Sequence, residues 1–170
     1  MANVGDLSGL QQKRGGEIAR LTMRGYFCVG IWQPKFEVNV GGVLRSAQSF
    51  GAAMVFTVGH RKYVRQATDT SKAFLHLPLM RFADIEDLIV HLPHSCVLVG
   101  VEMCPDAQPL REFVHPERAC YLLGAEDAGI PLGVLVRCHR RAEITGGKWC
   151  LNVASAASIV MYDRASKNAA

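Results

Sequence analysis

A chain of 170 residues, 49% hydrophobic and 20% charged, is long enough to bury one core without disulfide or metal staples and too apolar to be disordered. Its formal charge of +4 favours a polyanionic partner only modestly and excludes none. The six cysteines contain no CxxC pair and several sit in apolar runs, which fits buried free thiols in a reducing cytosol better than a disulfide framework or zinc knuckle.

Residues 1–23 are polar and glycine-containing, and read as a mobile arm or short lead helix before a domain spanning 24–170. Residues 26–32 form an apolar run of buried-strand type, ended by Pro34. Asn39 is read as the N-cap of a helix whose apolar stripe is Val40, Leu44, Ala47 and Gly51, with Gly51 as its stop. A strand at 53–58 follows, then a basic loop with Arg61, Lys62, Tyr63 and Arg65. A third strand is expected at 77–82, with Asp84 capping a helix that runs to about Leu92. Residues 97–101 and 120–123 are further buried strands, 133–138 a helix, 142–144 a short strand and 151–164 the last helix. Strands that alternate with helices and lack a period of two argue for an α/β domain, a mainly parallel sheet flanked by helices. No apolar stretch approaches a membrane span and no secretion signal opens the chain, so a cytoplasmic location is expected.

Generic nucleotide signatures are absent. No GxGxxG follows the first strand, and Gly146-Gly147-Lys148 lacks the upstream glycine and the Ser/Thr of a phosphate loop. His91 and His94 flank Pro93, which breaks the helix that would align them, so they read as surface histidines and not as metal ligands.

Three blocks remain. Arg45, on the same predicted helix as Asn39, is either a solvated arginine or a guanidinium fork for phosphate or a polarised hydroxyl. Asn39 itself is a cap, a site residue or both. Gly124-Ala125-Glu126-Asp127-Ala128-Gly129-Ile130 follows a buried strand, outside the C-terminal end where ligands of open α/β sheets gather. It is equally readable as a plain strand-to-helix turn, with Glu126 on the surface and Pro131 in the first turn of the helix. Ala154-Ser155-Ala156-Ala157-Ser158 makes a helix of little bulk, suited to close packing in a core or across subunits. Asn152 at its start is a cap or a ligand group.

Together these blocks resemble the three motifs of the SpoU (TrmH) class of SPOUT RNA methyltransferases. Asn39 and Arg45 keep the six-residue offset of the first motif, residues 124–130 match the GxExxGI core of the second, and Leu151-Asn152-Val153 with Ala156 matches the LNV-x-x-A core of the third. The resemblance runs from about Gly25 to Arg164 and is to the compact, single-domain form. It implies a SPOUT-type α/β fold with a C-terminal deep trefoil knot, a homodimer, and S-adenosyl-L-methionine as cofactor. The implied reaction is methyl transfer to a ribose 2′-hydroxyl of transfer or ribosomal RNA, with no metal and no membrane involved. Arg45, Asn39, Glu126 and Asn152 are the implied catalytic group, Arg45 reaching the partner subunit's site. Gly124, Ile144 and Leu151 are implied cofactor contacts, with Val101, Glu102, Gly129 and Cys150 beside them. Arg61, Lys62, Arg65 and Lys72 would contact phosphates, and Tyr63 would stack on a base.

Two positions depart from the family pattern: the serines that flank the third motif in many members are Cys150 and Ala154 here. They support the alternative of a non-catalytic RNA-binding or assembly protein that retains the knotted fold. Base methylation with Cys150 as a covalent nucleophile is disfavoured, because Cys150 abuts an apolar helix and no base neighbours it in sequence.

Overall fold

The computed structural model describes residues 25–60, 77–146 and 150–168. In chain order these form β1 (Phe27–Trp32), α1 (Glu37–Ser49), β2 (Met54–Val58), β3 (Leu79–Phe82), α2 (Ile85–Val90), β4 (Val97–Val101), β5 (Gln108–Pro109) with a 3-10 turn (Leu110–Glu112), β6 (Ala119–Leu123), α3 (Leu132–Leu135), β7 (Arg140–Glu143) and α4 (Val153–Asn168). The strands make one sheet in the order β3-β2-β1-β6-β4-β7-β5, every pair parallel.

The continuous apolar strands follow from a sheet covered on both faces. Phe27, Val29 and Ile31 of β1 point into one core layer with Tyr121, Val99 and, from α1 and α4, Val43, Ala47, Ala157 and Met161. Cys28 points into the opposite layer with Phe56, Leu98 and Leu122, closed by Leu88 of α2 and Leu135 of α3. Cys28, Cys96, Cys120 and Cys138 are buried and Cys150 is exposed, all as free thiols.

Most elements fall where the sequence places them, with shifted ends. Asp84 caps α2, its side chain accepting from the Asp87 N–H, but α2 stops at Val90. Gly51 follows α1 with φ of +72°, the left-handed turn expected of a stop. Pro131 precedes α3 instead of lying in its first turn, and β7 ends before Ile144. Asn39 is not the N-cap of α1. Phe36 holds that place, with no side-chain cap of its own, and Asn39 lies inside the first turn. β5 and its 3-10 turn carry no expectation, since a two-residue strand shows no period. The arm at 1–23, Arg61, Lys62, Tyr63, Arg65, Lys72, and the Gly147-Lys148 pair lie outside the described residues, as does the 147–149 segment that a knotted C-terminus would include.

Small side chains let α1 and α4 meet closely. A Cβ on Gly42 would stand 2.8 Å from the Ala154 Cβ, and the Ser46 and Ser158 hydroxyls bond at 2.8 Å beside it. Gly42→Ala is therefore expected to lower stability by about 1 kcal/mol in urea unfolding, overpacking outweighing alanine's better helix propensity.

The far half of α4 is tied down by a buried polar network. Arg164, 1% exposed, donates to the Pro116 carbonyl at 2.6 Å, the Glu117 carbonyl at 2.8 Å and the Tyr121 hydroxyl at 3.1 Å. His115 lies 2.6 Å from that hydroxyl through Nδ1 and 2.8 Å from Asp163 through Nε2. Burial pushes the His115 ring below its ordinary pKa despite the pull of Asp163, and the Arg164 and Lys167 charges add to the push. A neutral ring then donates from Nε2 to Asp163 and accepts at Nδ1 from Tyr121.

Candidate active site

The sheet register gathers the three blocks on one edge. Leu123 of β6 is level with Ile31 of β1 on one side and Val101 of β4 on the other, and Val101 is level with Ala142 of β7. The chain leaving these ends forms residues 33–36, 124–130, 102–107 and 144–146. They converge outside the C-terminal ends of parallel strands, the usual ligand crevice of such a sheet.

Glu126 is the hub. Its carboxylate accepts from Asn39 Nδ2 at 2.5 Å, from the Lys35 N–H at 2.9 Å and from the Phe36 N–H at 3.4 Å. Asn39, buried, accepts in turn at Oδ1 from Asn152 Nδ2 at 3.0 Å. Asn152 Oδ1 then accepts from the Ala154 and Ser155 N–H groups at 2.9 and 3.4 Å, capping α4. One residue from each block thus stands in a single line of hydrogen bonds, Glu126–Asn39–Asn152. A carboxylate facing the start of α1 is also favoured by the helix dipole. Lys35 pairs with Asp127 at 3.3 Å, bringing a cation to the same turn.

Burial alone would raise the Glu126 pKa. The hydrogen bonds from Asn39, Lys35, its own N–H and Phe36 outweigh it, holding the carboxyl below the usual range. A depressed carboxyl pKa stabilises the fold above the unfolded value of about 4.3, and that contribution is lost as pH falls through the folded value. Glu126→Gln is expected to cost about 1 kcal/mol at pH 7, a difference that shrinks in urea unfolding as pH falls through the lowered folded value of the carboxyl.

Arg45 lies in the third turn of α1 because that helix begins earlier than expected. Six residues on from Asn39 places it about 240° around the helix axis, so within one chain the two do not share a face. Its side chain is exposed, on the same face of α1 as exposed Val38 seven residues before it.

The expected cofactor residues are spread round the crevice. Val101 is buried at the end of β4, Glu102 and Ile144 are half-buried, and Cys150 and Leu151 are exposed. Gly124 continues β6, while Gly129, with φ of +62°, closes the following loop through two backbone bonds with Ala125 at 3.0 and 3.1 Å. A cavity of about 420 Å³ opens beside Ile144, bounded by Thr145, Gly146, Leu110, Arg111, Ile159 and Asp163. Ile144 alone among these was expected; Thr145 and Gly146 follow it in the chain, and Leu110, Arg111, Ile159 and Asp163 come from the 3-10 turn and α4, whose meeting leaves no local signal. Ala154 packs at Gly42, so the missing hydroxyl there is accounted for by helix contact. Among the described residues no group of three His, Cys, Asp or Glu side chains is placed to hold a metal ion, and no helix is long and apolar enough to cross a membrane.

The sequence model of the SpoU rRNA Methylase family matches residues 26–162. Solved structures share the fold. The SpoU methyltransferase AviRb from Streptomyces viridochromogenes, in complex with AdoMet, superposes with a TM-score of 0.75 at 22% identity, over 86% of this chain and 59% of that one. A TrmH/SpoU tRNA modifying enzyme of A. aeolicus gives 0.74 at 14% identity, over 93% and 84%. A protein solved in work on 2-OH methylation of C/U34 on tRNA gives 0.71 at 21% identity, over 83% and 95%. The chain thus spans about three fifths of the AviRb structure and most of the other two. No curated protein sequence matches it.

Proposed function

The chain belongs to the SpoU rRNA methylase family, and from that premise we propose that it is an S-adenosylmethionine-dependent methyltransferase acting on a ribose 2′-hydroxyl of transfer or ribosomal RNA. The observation that carries the reading is the Glu126–Asn39–Asn152 line, which joins the three blocks at the ligand-binding edge of the sheet. A plain strand-to-helix turn and two ordinary caps would not require it.

The crevice fits the cofactor. Met103 and Leu151 are apolar yet 60% and 47% exposed, and Met103 lies two residues past Val101 as half-buried Ile144 lies two past its partner Ala142, so these side chains would offer surface to a planar base. Val101, Gly124, Ile144 and Leu151 would hold it, largely through backbone, with Glu102, Gly129 and Cys150 adjoining. S-adenosylmethionine supplies a methyl group on a sulfonium centre. The protein's part is orientation and electrostatics. Arg45, always protonated, holds an RNA phosphate and lowers the pKa of the acceptor hydroxyl. Asn39 and Asn152 orient substrate and loop, and Glu126 fixes both. Arg61, Lys62 and Arg65 add phosphate contacts.

The active form is a homodimer located in the cytoplasm, with a knotted C-terminal segment. Val38 on α1 and Ile159 and Tyr162 on α4 are apolar and 46%, 38% and 65% exposed, which supports a partner covering the outer side of this helix pair. Arg45 on that side then reaches the partner's crevice and not its own.

The test is methyl transfer from labelled S-adenosylmethionine to total RNA from a strain lacking the gene, followed by digestion to nucleosides. Label in 2′-O-methyl nucleosides supports the reading, and the labelled RNA names the substrate. Label in a methylated base moves the chemistry to the base. Cofactor binding without transfer to any RNA favours the non-catalytic alternative.

A further inference from the structure

Glu102 is the first residue beyond β4, 22 positions before Gly124 and in none of the three blocks. Its Oε2 accepts from the Ile130 N–H at 2.8 Å and its Oε1 from the Met103 N–H at 3.1 Å. Two glycines of the second block make room for it. A Cβ on Gly129 would stand 2.6 Å from Oε2, and one on Gly124 would stand 2.8 Å from Oε2 and 2.5 Å from the Gly129 Cα. Real side chains do not approach so closely, so the carboxylate and a methyl at position 129 cannot occupy this space together. Ala125 and Gly129 close the base of the same loop, and Glu126 extends from it to Asn39.

We propose that Glu102 is a positioning residue of the active site: Gly124 and Gly129 form a socket for its carboxylate, which sets the loop that carries Glu126. The glycines are then required by a side chain of the protein itself and not only by close approach of a ligand. A charged hydrogen bond to Ile130 fixes the end of the loop, and the loop fixes Glu126 against α1. The consequence for cofactor affinity rests on the methyltransferase reading, whereas the packing does not.

Four variants test this: Glu102→Ala, Glu102→Gln, Gly129→Ala, and Glu102→Ala with Gly129→Ala. Each is read by urea unfolding, by amide exchange at Ile130, and by calorimetric binding of S-adenosylmethionine. Glu102→Ala is expected to speed Ile130 exchange and raise the dissociation constant about tenfold. Glu102→Gln, whose side-chain carbonyl still accepts from Ile130, stays within about threefold of wild type. Gly129→Ala alone is damaging, and adding Glu102→Ala restores both stability and binding in part, because the new methyl takes the vacated socket. Simple addition of the two penalties, or a glutamine as harmful as alanine, overturns the proposal. If the wild type binds no S-adenosylmethionine, the methyltransferase reading fails. The unfolding and exchange measurements still decide the socket.

Discussion

Arg45→Ala is expected to lower methyl transfer by about 10²–10³-fold, the usual loss when one group placed at developing charge is removed. Stability should change by no more than about 0.5 kcal/mol, because the side chain is exposed and lies outside both core layers. S-adenosylmethionine binding should be nearly unaltered, since Arg45 stands about 240° round α1 from Asn39. Arg45→Lys keeps the charge but not the planar fork, and recovers little if phosphate is held bidentately. Parallel measurements of transfer, calorimetric binding and unfolding separate these effects. Mixing Arg45→Ala with a second inactive variant altered at Asn39 adds a test of geometry. Activity returns in the mixture if each crevice uses the arginine of the other subunit, and stays lost if it uses its own.

Asn39→Ala is the second large effect, and it is expected on stability and activity together. Asn39 is 6% exposed and is the middle member of the polar line. Its removal leaves Glu126 Oε1 without its side-chain donor and Asn152 Nδ2 without its acceptor. One half-buried carboxylate and one amide lose partners, worth about 2 kcal/mol in urea unfolding. The 124–130 loop and the start of α4 then lose their common anchor, so weaker cofactor binding should accompany the loss. Asn39→Asp is a harsher test of the same contact. It places a second carboxylate against Glu126, and like charges at that range force one to take up a proton. Its stability deficit should therefore narrow on acidification, whereas that of Asn39→Ala should not.

The sheet was legible because each buried strand is a short apolar run closed by Gly, Pro or a polar turn. The three blocks were legible because residue type and spacing carry across a family even when one chain offers no geometry. What Asn39 does was not. As an Asn before an apolar stripe it looks like a helix cap, but Glu126, 87 residues on, accepts the Lys35 and Phe36 N–H groups and lets α1 begin earlier. A helix end set by a distant loop leaves no local trace. The same holds for the Glu102 socket, where the sequence displays the glycines but not the side chain they admit. His115, Asp163 and Arg164 likewise read as ordinary polar residues until α4 folds back over the 113–117 segment.

The line through Asn39 also bears on when the protein becomes competent during its synthesis. Asn39 emerges from the ribosome early, with β1 and β2 able to pair beside it. Glu126 follows only after most of the sheet has been made, and Asn152 stands 113 residues downstream of Asn39. Contacts this remote form late and slowly. A nascent chain halted after β7 would hold every described strand of the sheet and still lack the third member of this hydrogen-bonded line. Docking of α4 is therefore the event that completes the Glu126–Asn39–Asn152 line.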